Sequence, residues 1–419
     1  MRPSIGLIAA NNAKSRSYAR FARIRMTACF GLALSTATVR AQTPLTRKDV
    51  LDAALGRGAR LAVARADTAV ASAAIITARA RPNPSLGLSY SKSVPTQHVI
   101  VDIPFEFPAL RALRIRAAEV GLRAADLKFQ FDRAMIAMEA DTTYTRAVAA
   151  RERVLLSRRA ALDADSVLHM VERRRDAGDA SDMDVELARV YAGQQANIAS
   201  GDTLSMASTF LDLQGVLGLL EDHVTILPTD SLTVIPAADT PVAVSLNEAS
   251  AEASVNAASL NARLQRRSVW SQFSVALGFE HGDPDQPGIL PTFGIGVGLP
   301  LFDRNRGAIA LADAERARAQ ATLVLARVEM RNALAHALRE RENAVSKVAR
   351  DQRLIASANR VTAMSLSAYR EGASSLANVL EAQRSAREII SQYIDDLAAA
   401  WIATAELRVF SLTSTPSVP

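Results

Sequence analysis

The side chains best suited to bind a metal ion or to act as nucleophiles are few and far apart in this sequence. Its only cysteine, Cys29, has no second cysteine to complete a ligand pair. No two histidines have the i, i+4 spacing that would place two ligands on one helix face. The histidines occur singly, at His98, His169, His223, His281 and His336. The sequence therefore predicts no catalytic residues, no metal site and no bound cofactor.

Three alternating glycines, Gly294, Gly296 and Gly298, are the nearest approach to a phosphate-binding loop. A phosphate loop of the nucleotide-binding type continues into Gly-Lys-Ser or Gly-Lys-Thr and then a helix, which this segment does not. The glycines instead alternate with bulky apolar residues such as Phe293 and Ile295, and this period of two is typical of a strand. No nucleotide site is predicted here.

The sequence contains the same large unit twice. Gly178 and Gly372 each follow a long helical tract, and they are 194 residues apart. Ile103 and Leu299 each lie near the end of an alternating stretch, and they are 196 residues apart. Two pairs of landmarks at nearly one offset indicate an internal duplication.

Each unit has the predicted order helix, β-hairpin, very long helix, glycine turn and helix. The first unit spans 42–220, with a hairpin at 84–107, a long helix at 109–176 and a further helix at 181–220. The second unit spans 246–412, with a hairpin at 269–301, a long helix at 306–371 and a further helix at 375–412. A proline-rich insert at 221–245 connects them, and 413–419 is a tail.

The basic charge of the chain is confined to its first residues. The net charge is +6, but residues 1–41 hold seven Lys and Arg and no acid, so the remainder has 42 bases against 43 acids. A basic segment, an apolar run and a small-residue site after Ala41 predict a signal peptide over 1–41. Lipidation at Cys29 is disfavoured because the apolar run follows that cysteine. Export is therefore expected, and nucleic acid is not an expected partner.

Bulky apolar residues alternate with glycine, serine or charged residues in both hairpins. This pattern is typical of a membrane β-barrel wall, although a soluble hairpin with one buried face would share it. The residues predicted to face lipid in the second hairpin are Phe273, Val275, Leu277, Phe279, Phe293, Ile295, Val297 and Leu299. Four strands cannot close a barrel, and open edges cannot face lipid. Several copies must therefore associate to reach at least about eight strands.

Two segments carry a resemblance to a known family. They are Gly298–Gly307, which reads GLPLFDRNRG, and Tyr369–Gln383, which reads YREGASSLANVLEAQ. Together with the duplicated hairpins, they make the mature sequence similar to the TolC-like outer-membrane efflux proteins. The resemblance implies a mainly α-helical chain with a membrane β-barrel portion. Each chain of a homotrimer would give four strands to a 12-stranded barrel and its helices to a periplasmic tunnel.

The same resemblance assigns roles to residues at the glycine turns. The family closes its tunnel and meets its adaptor at these periplasmic tips. The candidates for the gate are Asp184, Asn378 and Glu381. The candidates for adaptor docking are Gly178, Asp179, Gly372 and Ala373.

Each gate candidate has a second interpretation. Asp184 fits a capping box with Ser181, and Glu381 fits a solvated helix face. The family's best-known members have two aspartates where this chain has Asn378 and Glu381. A ring of three Glu381 carboxylates in a trimer would still favour cations.

The function expected from the resemblance is an exit duct in the outer membrane, extending into the periplasm. Its partners would be an inner-membrane pump, a periplasmic adaptor and outer-membrane lipid, and its cargo small molecules or metal cations. Two alternatives stay open at this point. One is a periplasmic coiled-coil protein without a channel, and the other is an outer-membrane duct for protein secretion. An enzyme is not expected, because the sequence has no acid–base or metal cluster.

Overall fold

The computed structural model describes residues 43–219, 226–233, 235–237, 245–270 and 273–412. The predicted signal peptide (1–41) and tail (413–419) lie outside the described residues, as do Cys29 and His223. Part of the predicted insert (221–245) also lies outside them.

The described chain is mainly helical. The first half contains β1 (Thr43–Leu45), α1 (Arg47–Arg57), α2 (Ala59–Arg79), β2 (Ser85–Tyr90), β3 (Gln97–Phe105), α3 (Pro108–Asp176) and α4 (Asp182–Leu217). The second half contains β4 (Ile226–Pro228), α5 (Leu246–Arg267), β5 (Phe273–His281), β6 (Leu290–Val297), α6 (Arg306–Arg370) and α7 (Leu376–Ser411). The order helix, hairpin, long helix, turn, helix occurs in both halves.

Two of the helices are far longer than a globular core allows. Helix α3 has 69 residues and α6 has 65, so each spans on the order of 100 Å at 1.5 Å per residue. Both are rich in alanine, leucine, arginine and glutamate, which are good helix formers. Pro108 occupies the first turn of α3, where a missing N–H costs nothing.

Both long helices end in the same hydrogen-bonded turn. Gly178 has a φ of 86° and Gly372 a φ of 76°, in the left-handed region that glycine tolerates best. After each glycine, the next N–H reaches back to the carbonyl five residues earlier, which completes a Schellman motif. These bonds are Asp179 N to Arg174 O (2.8 Å) and Ala373 N to Ala368 O (2.8 Å).

The helix predicted before the first hairpin is divided in two at Gly58. Its φ of −60° and ψ of 129° are not helical, and a Cβ there would lie 2.4 Å from the carbonyl oxygen of Ala54. The division interrupts Arg47–Arg79, the one stretch of the described residues that is long and apolar enough to cross a membrane by length and composition. Both α1 and α2 pack against α3, so this stretch belongs to the helical part of the molecule.

The two hairpins form one antiparallel sheet with the strand order β2-β3-β5-β6. Strands β3 and β5 pair along their whole length, from Gln97 opposite His281 to Phe105 opposite Phe273. Strands β2 and β6 are the two edges, and each has only one neighbour in this sheet.

Strand β6 is shorter than predicted. It ends at Val297, so Leu299, which was expected to continue the lipid-facing row, lies beyond the strand. Pro300 has no N–H to continue a ladder, and the N–H of Leu301 turns back to the carbonyl of Leu299 at 2.8 Å. The prediction that the strand extends to 301 was therefore wrong.

A buried core lies where α1, α3, α4 and α7 meet β4. Val50, Tyr144, Val148 and Leu213 are fully buried there. Leu397 of α7 packs in the same cluster. These four helices form the helical body together with α2, α5 and α6, which pack beside them.

The chain just before α1 is anchored to this core by the insert. Strand β1 pairs in parallel with β4, and the backbone N–H of Arg47 donates to Asp230 Oδ2 at 2.7 Å. The Tyr144 hydroxyl lies 2.9 Å from both the Leu45 carbonyl oxygen and Asp230 Oδ2. The Arg47 guanidinium lies 4.2 Å from the centre of the Trp401 ring, and burial lowers the pKa of Arg47 to about 10.

Candidate functional site

One face of the four-stranded sheet is apolar from edge to edge. Leu86, Val101, Leu277 and Phe293 lie opposite one another in a single row across the four strands. Positions two apart on a strand share a face, so the neighbouring rows extend the same surface. The apolar face consists of Leu86, Leu88, Tyr90, Val99, Val101, Ile103, Phe105, Phe273, Val275, Leu277, Phe279, Phe293, Ile295 and Val297.

The residues predicted to face lipid are largely exposed in the single chain. Ile295 is 80% and Phe293 78% exposed. The other exposed members of the predicted set are Val275, Leu277, Phe279, Val297 and Leu299. Phe273 is half-buried because its ring lies 5.0 Å from that of Phe107, edge to face. A contiguous exposed apolar surface of this kind marks a site that contacts lipid or another protein.

The opposite face of the sheet is made mostly of small and polar residues. Ser274 lies opposite Gly296, and Gly278 lies opposite Thr292. The polar face consists of Ser85, Gly87, Ser89, His98, Ile100, Asp102, Pro104, Ser274, Ala276, Gly278, Glu280, Leu290, Thr292, Gly294 and Gly296. The sheet is thus amphipathic by alternation, as a membrane barrel wall requires.

The two glycine turns lie at the other end of the long helices and are linked by Tyr369 and Arg174. The Arg174 side chain donates to the carbonyl of Tyr369, and its guanidinium lies 4.7 Å from the centre of the tyrosine ring. Tyr369 is buried in a cluster that includes Val171, Val185 and Val379. The pKa of Tyr369 is raised above its usual value, and burial of its side chain is the main cause. The tip of α3–α4 and the tip of α6–α7 therefore form one packed unit.

Sequence reasoning did not single out Arg174 and Tyr369 as a pair. The two residues are 195 positions apart, so no local pattern connects them. The available signal was the repeat itself, because Tyr369 occupies the place of Arg175 in the first unit. An aromatic residue in place of a charge indicated a local difference between the two tips.

The candidates for the gate are placed differently from one another. Asp184 Oδ2 accepts from the N–H and the hydroxyl of Ser181, at 3.2 and 2.8 Å, in a complete capping box. Asn378, its counterpart in the repeat, instead donates to the hydroxyl of Ser374 at 3.1 Å. Glu381 is exposed on α7. The capping role predicted as the alternative for Asp184 is therefore present in the structure.

The docking candidates are at the surface of the tips. Gly178, Asp179, Gly372 and Ala373 are all exposed. Arg175, just before the first turn, lies 2.6 Å from Asp176. These residues present backbone and charge to solvent at the end of the molecule.

The described residues contain no group of three or more His, Cys, Asp and Glu that could hold a metal ion. His98 pairs with Glu280 across the sheet at 3.3 Å. His169 and His336 each lie close to acids of their own helix. The candidate functional features of the described chain are therefore the apolar face of the sheet, its polar face, and the packed unit formed by the two helical tips.

Comparisons with known proteins agree with this architecture. Residues 246–410 match the family described as "Outer membrane efflux protein". The chain is 26% identical over 365 residues to the cobalt-zinc-cadmium resistance protein CzcC of Cupriavidus metallidurans, covering 84% of this chain and 86% of that protein. It is also 26% identical over 344 residues to the nickel-cobalt-cadmium resistance protein NccC of Alcaligenes xylosoxydans xylosoxydans, covering 78% of this chain and 76% of that protein.

A solved structure has the same fold. It is a membrane protein from Pseudomonas aeruginosa, which matches with a TM-score of 0.75 and 18% sequence identity over 87% of this chain and 93% of that chain. Because the likeness covers 87% of this chain, it shows that the shared fold includes both halves. The duplicated hairpins, the amphipathic sheet, the family match over residues 246–410 and these two relatives all agree with the predicted resemblance to the TolC-like outer-membrane efflux proteins.

Proposed function

We propose that this chain is the outer-membrane exit duct of a tripartite efflux system whose cargo is divalent metal cations. The observation that carries the proposal is the four-stranded sheet with one continuous apolar face and two open edges. The match of residues 246–410 to the outer membrane efflux protein family supports the role of an outer-membrane efflux channel. The oligomeric state, the cargo and the gate are the parts that need testing.

The sheet supports a trimer. An open edge leaves unpaired N–H and C=O groups, which hydrocarbon cannot satisfy. One chain supplies four strands, so three copies joined from β6 to β2 supply 12, an even number within the usual range of closed barrels. The apolar face then contacts lipid, and the small residues of the polar face leave room for a wet lumen.

The helical body supports a tunnel that continues the barrel into the periplasm. Helices α3 and α6 have 69 and 65 residues, and each reaches on the order of 100 Å from the sheet to the tips. A periplasmic adaptor would meet the exposed turns around Gly178 and Gly372. The pump would supply the energy, since the duct itself only needs to provide a path.

The tips are the proposed gate. Asp184, Asn378 and Glu381 are all within nine residues of a turn glycine, and the Arg174–Tyr369 link holds the two tips of one chain together. Opening the tunnel would require this packed unit to shift against its neighbours. Glu381 is the gate candidate whose carboxylate has no capping role in the described structure.

The cargo is assigned from the relatives. CzcC is named for resistance to cobalt, zinc and cadmium, and NccC for nickel, cobalt and cadmium. These are divalent cations, and a hydrated cation can pass a wide lumen without a binding site in the wall. The absence of a metal-ligand cluster in the described residues therefore does not conflict with this cargo.

The channel is tested with the purified full-length protein in planar lipid bilayers and by cell fractionation. We expect the protein to sediment with outer membranes after a carbonate wash, to run as a trimer that dissociates on heating, and to form conducting pores. A monomer in the soluble periplasm that forms no pores would instead support the periplasmic coiled-coil alternative.

The cargo is tested by deleting the gene in the organism that carries it. Tolerance to Co²⁺, Zn²⁺, Cd²⁺ or Ni²⁺ should fall, and the cellular content of that metal should rise. Plasmid-borne wild-type protein should restore both. Normal metal tolerance combined with loss of a secreted protein would support the protein-secretion alternative.

A further inference from the structure

The strands of the sheet contain two acids and no lysine or arginine. Asp102 is on β3 and Glu280 is on β5. Strands β2 and β6 carry no charged residue. The fixed charge of the strands is therefore of one sign.

Both acids lie on the polar face. Asp102 is opposite Ser85 on one side and Ala276 on the other. Glu280 is opposite His98, which is four residues from Asp102 on the same strand. At about 3.3 Å per residue, the two acids stand at levels roughly 13 Å apart along the strands.

Asp102 is surrounded on the sheet by short side chains. Its immediate cross-strand neighbours are Ser85 and Ala276, and the nearest diagonal hydroxyl, Ser274 Oγ, lies 3.4 Å from Asp102 Oδ1. No Lys or Arg of the described chain forms an ion pair with it. Within the described residues, no cation balances its carboxylate charge.

The other acids of this region have partners. Glu280 lies 3.3 Å from His98 Nδ1. Glu106 is the next acid along the chain after Asp102, four residues later. Both of its carboxylate oxygens accept hydrogen bonds from the terminal nitrogens of Arg114, at 2.5 and 3.0 Å. Unlike Glu280 and Glu106, Asp102 has no cationic partner in the described chain, so its charge would act most strongly on ions in the lumen.

We infer that the β-barrel itself selects for cations and that Asp102 sets this preference. The inference rests on the proposed function, because the polar face becomes a lumen only in a closed barrel. Three copies would place three uncompensated carboxylates at one level of the wall. Hydrated divalent cations would be concentrated there, and anions would be excluded, without tight binding at any site.

The size of the effect follows from screening. Each carboxylate acts across a water-filled lumen, so its influence is modest and falls with ionic strength. At 0.1 M salt the Debye length is about 10 Å, and at 1 M it is about 3 Å. We expect loss of the three charges to lower the cation-over-anion permeability ratio about two- to fivefold at 0.1 M KCl and to change it little at 1 M.

The test is the reversal potential of single pores in a KCl gradient. Asp102→Asn should lower cation selectivity by this factor, and Glu280→Gln should lower it less because His98 accompanies that acid. The matched control is Asp285→Asn, which removes the same charge from the exposed loop between β5 and β6. The control should leave selectivity near that of the wild-type pore.

Two further variants keep the inference testable if Asp102→Asn assembles poorly. Ser85→Lys keeps Asp102 and sets a cation directly opposite it, so selectivity should again fall. The double variant Ser85→Asp/Asp102→Asn moves the carboxylate across to the paired strand and should restore it. A structural role for Asp102 alone would not produce this rescue.

The outcomes separate the inference from the proposed function. Wild-type protein that forms no pores would overturn the duct. Pores whose selectivity is unchanged in Asp102→Asn and in Ser85→Lys would overturn the role of Asp102 while the duct stands. Loss of selectivity in Glu381→Gln alone would assign selection to the tips instead of the barrel.

Discussion

The sheet and the helical body differ in how far their apolar side chains are exposed. In the helical body, Leu213 and Val148 are fully buried by other helices of the same chain. In the sheet, Phe293 is 78% and Ile295 80% exposed. The body has an interior within one chain, whereas nothing in the described chain covers the apolar face of the sheet. In the proposed duct, lipid would cover this face and further copies would pair with the open edges of the sheet.

The largest expected effect comes from a charge on the apolar face. Ile295→Asp should cost about 2 kcal/mol per chain at mid-bilayer depth and, because the proposed trimer carries three such sites, should abolish barrel assembly. Thr292→Asp, on the polar face of the same strand, is the matched control and should still assemble. Trimer yield in outer membranes, read on gels before and after heating, measures both. Equal yields would remove the distinction between the two faces.

Shortening a buried side chain tests the helical body, again by comparing two positions on one element that differ in exposure. Leu213→Ala should lower the stability of the helical part by about 2–5 kcal/mol, because it opens a cavity in a fully buried site. Leu211→Ala on the same helix, at a side chain that is 51% exposed, should cost far less. Thermal loss of helical circular dichroism in detergent compares them. A similar drop in both variants would mean that a neighbouring copy covers Leu211.

One substitution should act in opposite directions at two glycines of the helical part. Gly372→Ala should destabilise the tip by about 1–2 kcal/mol, because alanine is strained at a φ of 76°. Gly193→Ala, within α4 where an added Cβ meets nothing within 4 Å, should stabilise by about 0.5–1 kcal/mol. Protease cleavage at the tips and thermal midpoints report the two effects. The same sign at both sites would contradict the left-handed turn.

The smallest effect concerns a buried pair of acids in the helical body. Burial and a hydrogen bond to Asp396 raise the pKa of Asp351 above its usual value. The folded state therefore holds more protons than the unfolded state between the usual and the raised pKa, and stability falls as the pH rises through that window.

Asp351→Asn should remove this pH dependence and stabilise the α6–α7 contact by about 1 kcal/mol at neutral pH. Asp395→Asn is a poor mimic of this change, because Asp395 forms an ion pair with Arg153 and should lose stability instead. Thermal midpoints measured from acidic to neutral pH distinguish the two variants. An Asp351→Asn profile that parallels the wild type would exclude the carboxyl pair as its cause.

What could be predicted from the sequence depended on how local the cause was. The rows of Val275 and Leu277 follow from a period of two, and the turn at Gly372 follows from one glycine after a long helical tract. The prediction that the strand includes Leu299 was wrong because Pro300 and a backbone turn end the strand earlier than the alternation suggests, whereas contact of Leu299 with lipid stays a prediction. The break at Gly58 was missed because its cause is a close approach of backbone atoms.

Contacts between distant parts of the chain could not be predicted. The Arg174–Tyr369 link joins positions in different repeats, and the lack of a cation beside Asp102 depends on which residues lie opposite it in the sheet. The alternation along the strand indicates only that Asp102 lies on the face opposite the bulky apolar residues. Only the register shows that its neighbours are short and uncharged, which is what makes its charge matter.

The pairing of β1 with β4 has a consequence for the order of events during export. The N–H of Arg47 and its partner Asp230 are 183 positions apart. A polypeptide that is threaded across a membrane from its amino end therefore delivers Thr43–Leu45 long before the strand that holds it. Until Ile226–Pro228 emerges, the backbone groups of Thr43–Leu45 have no strand to pair with and the core beside them is incomplete. Chaperones or fast translocation would then be needed to prevent aggregation through these groups.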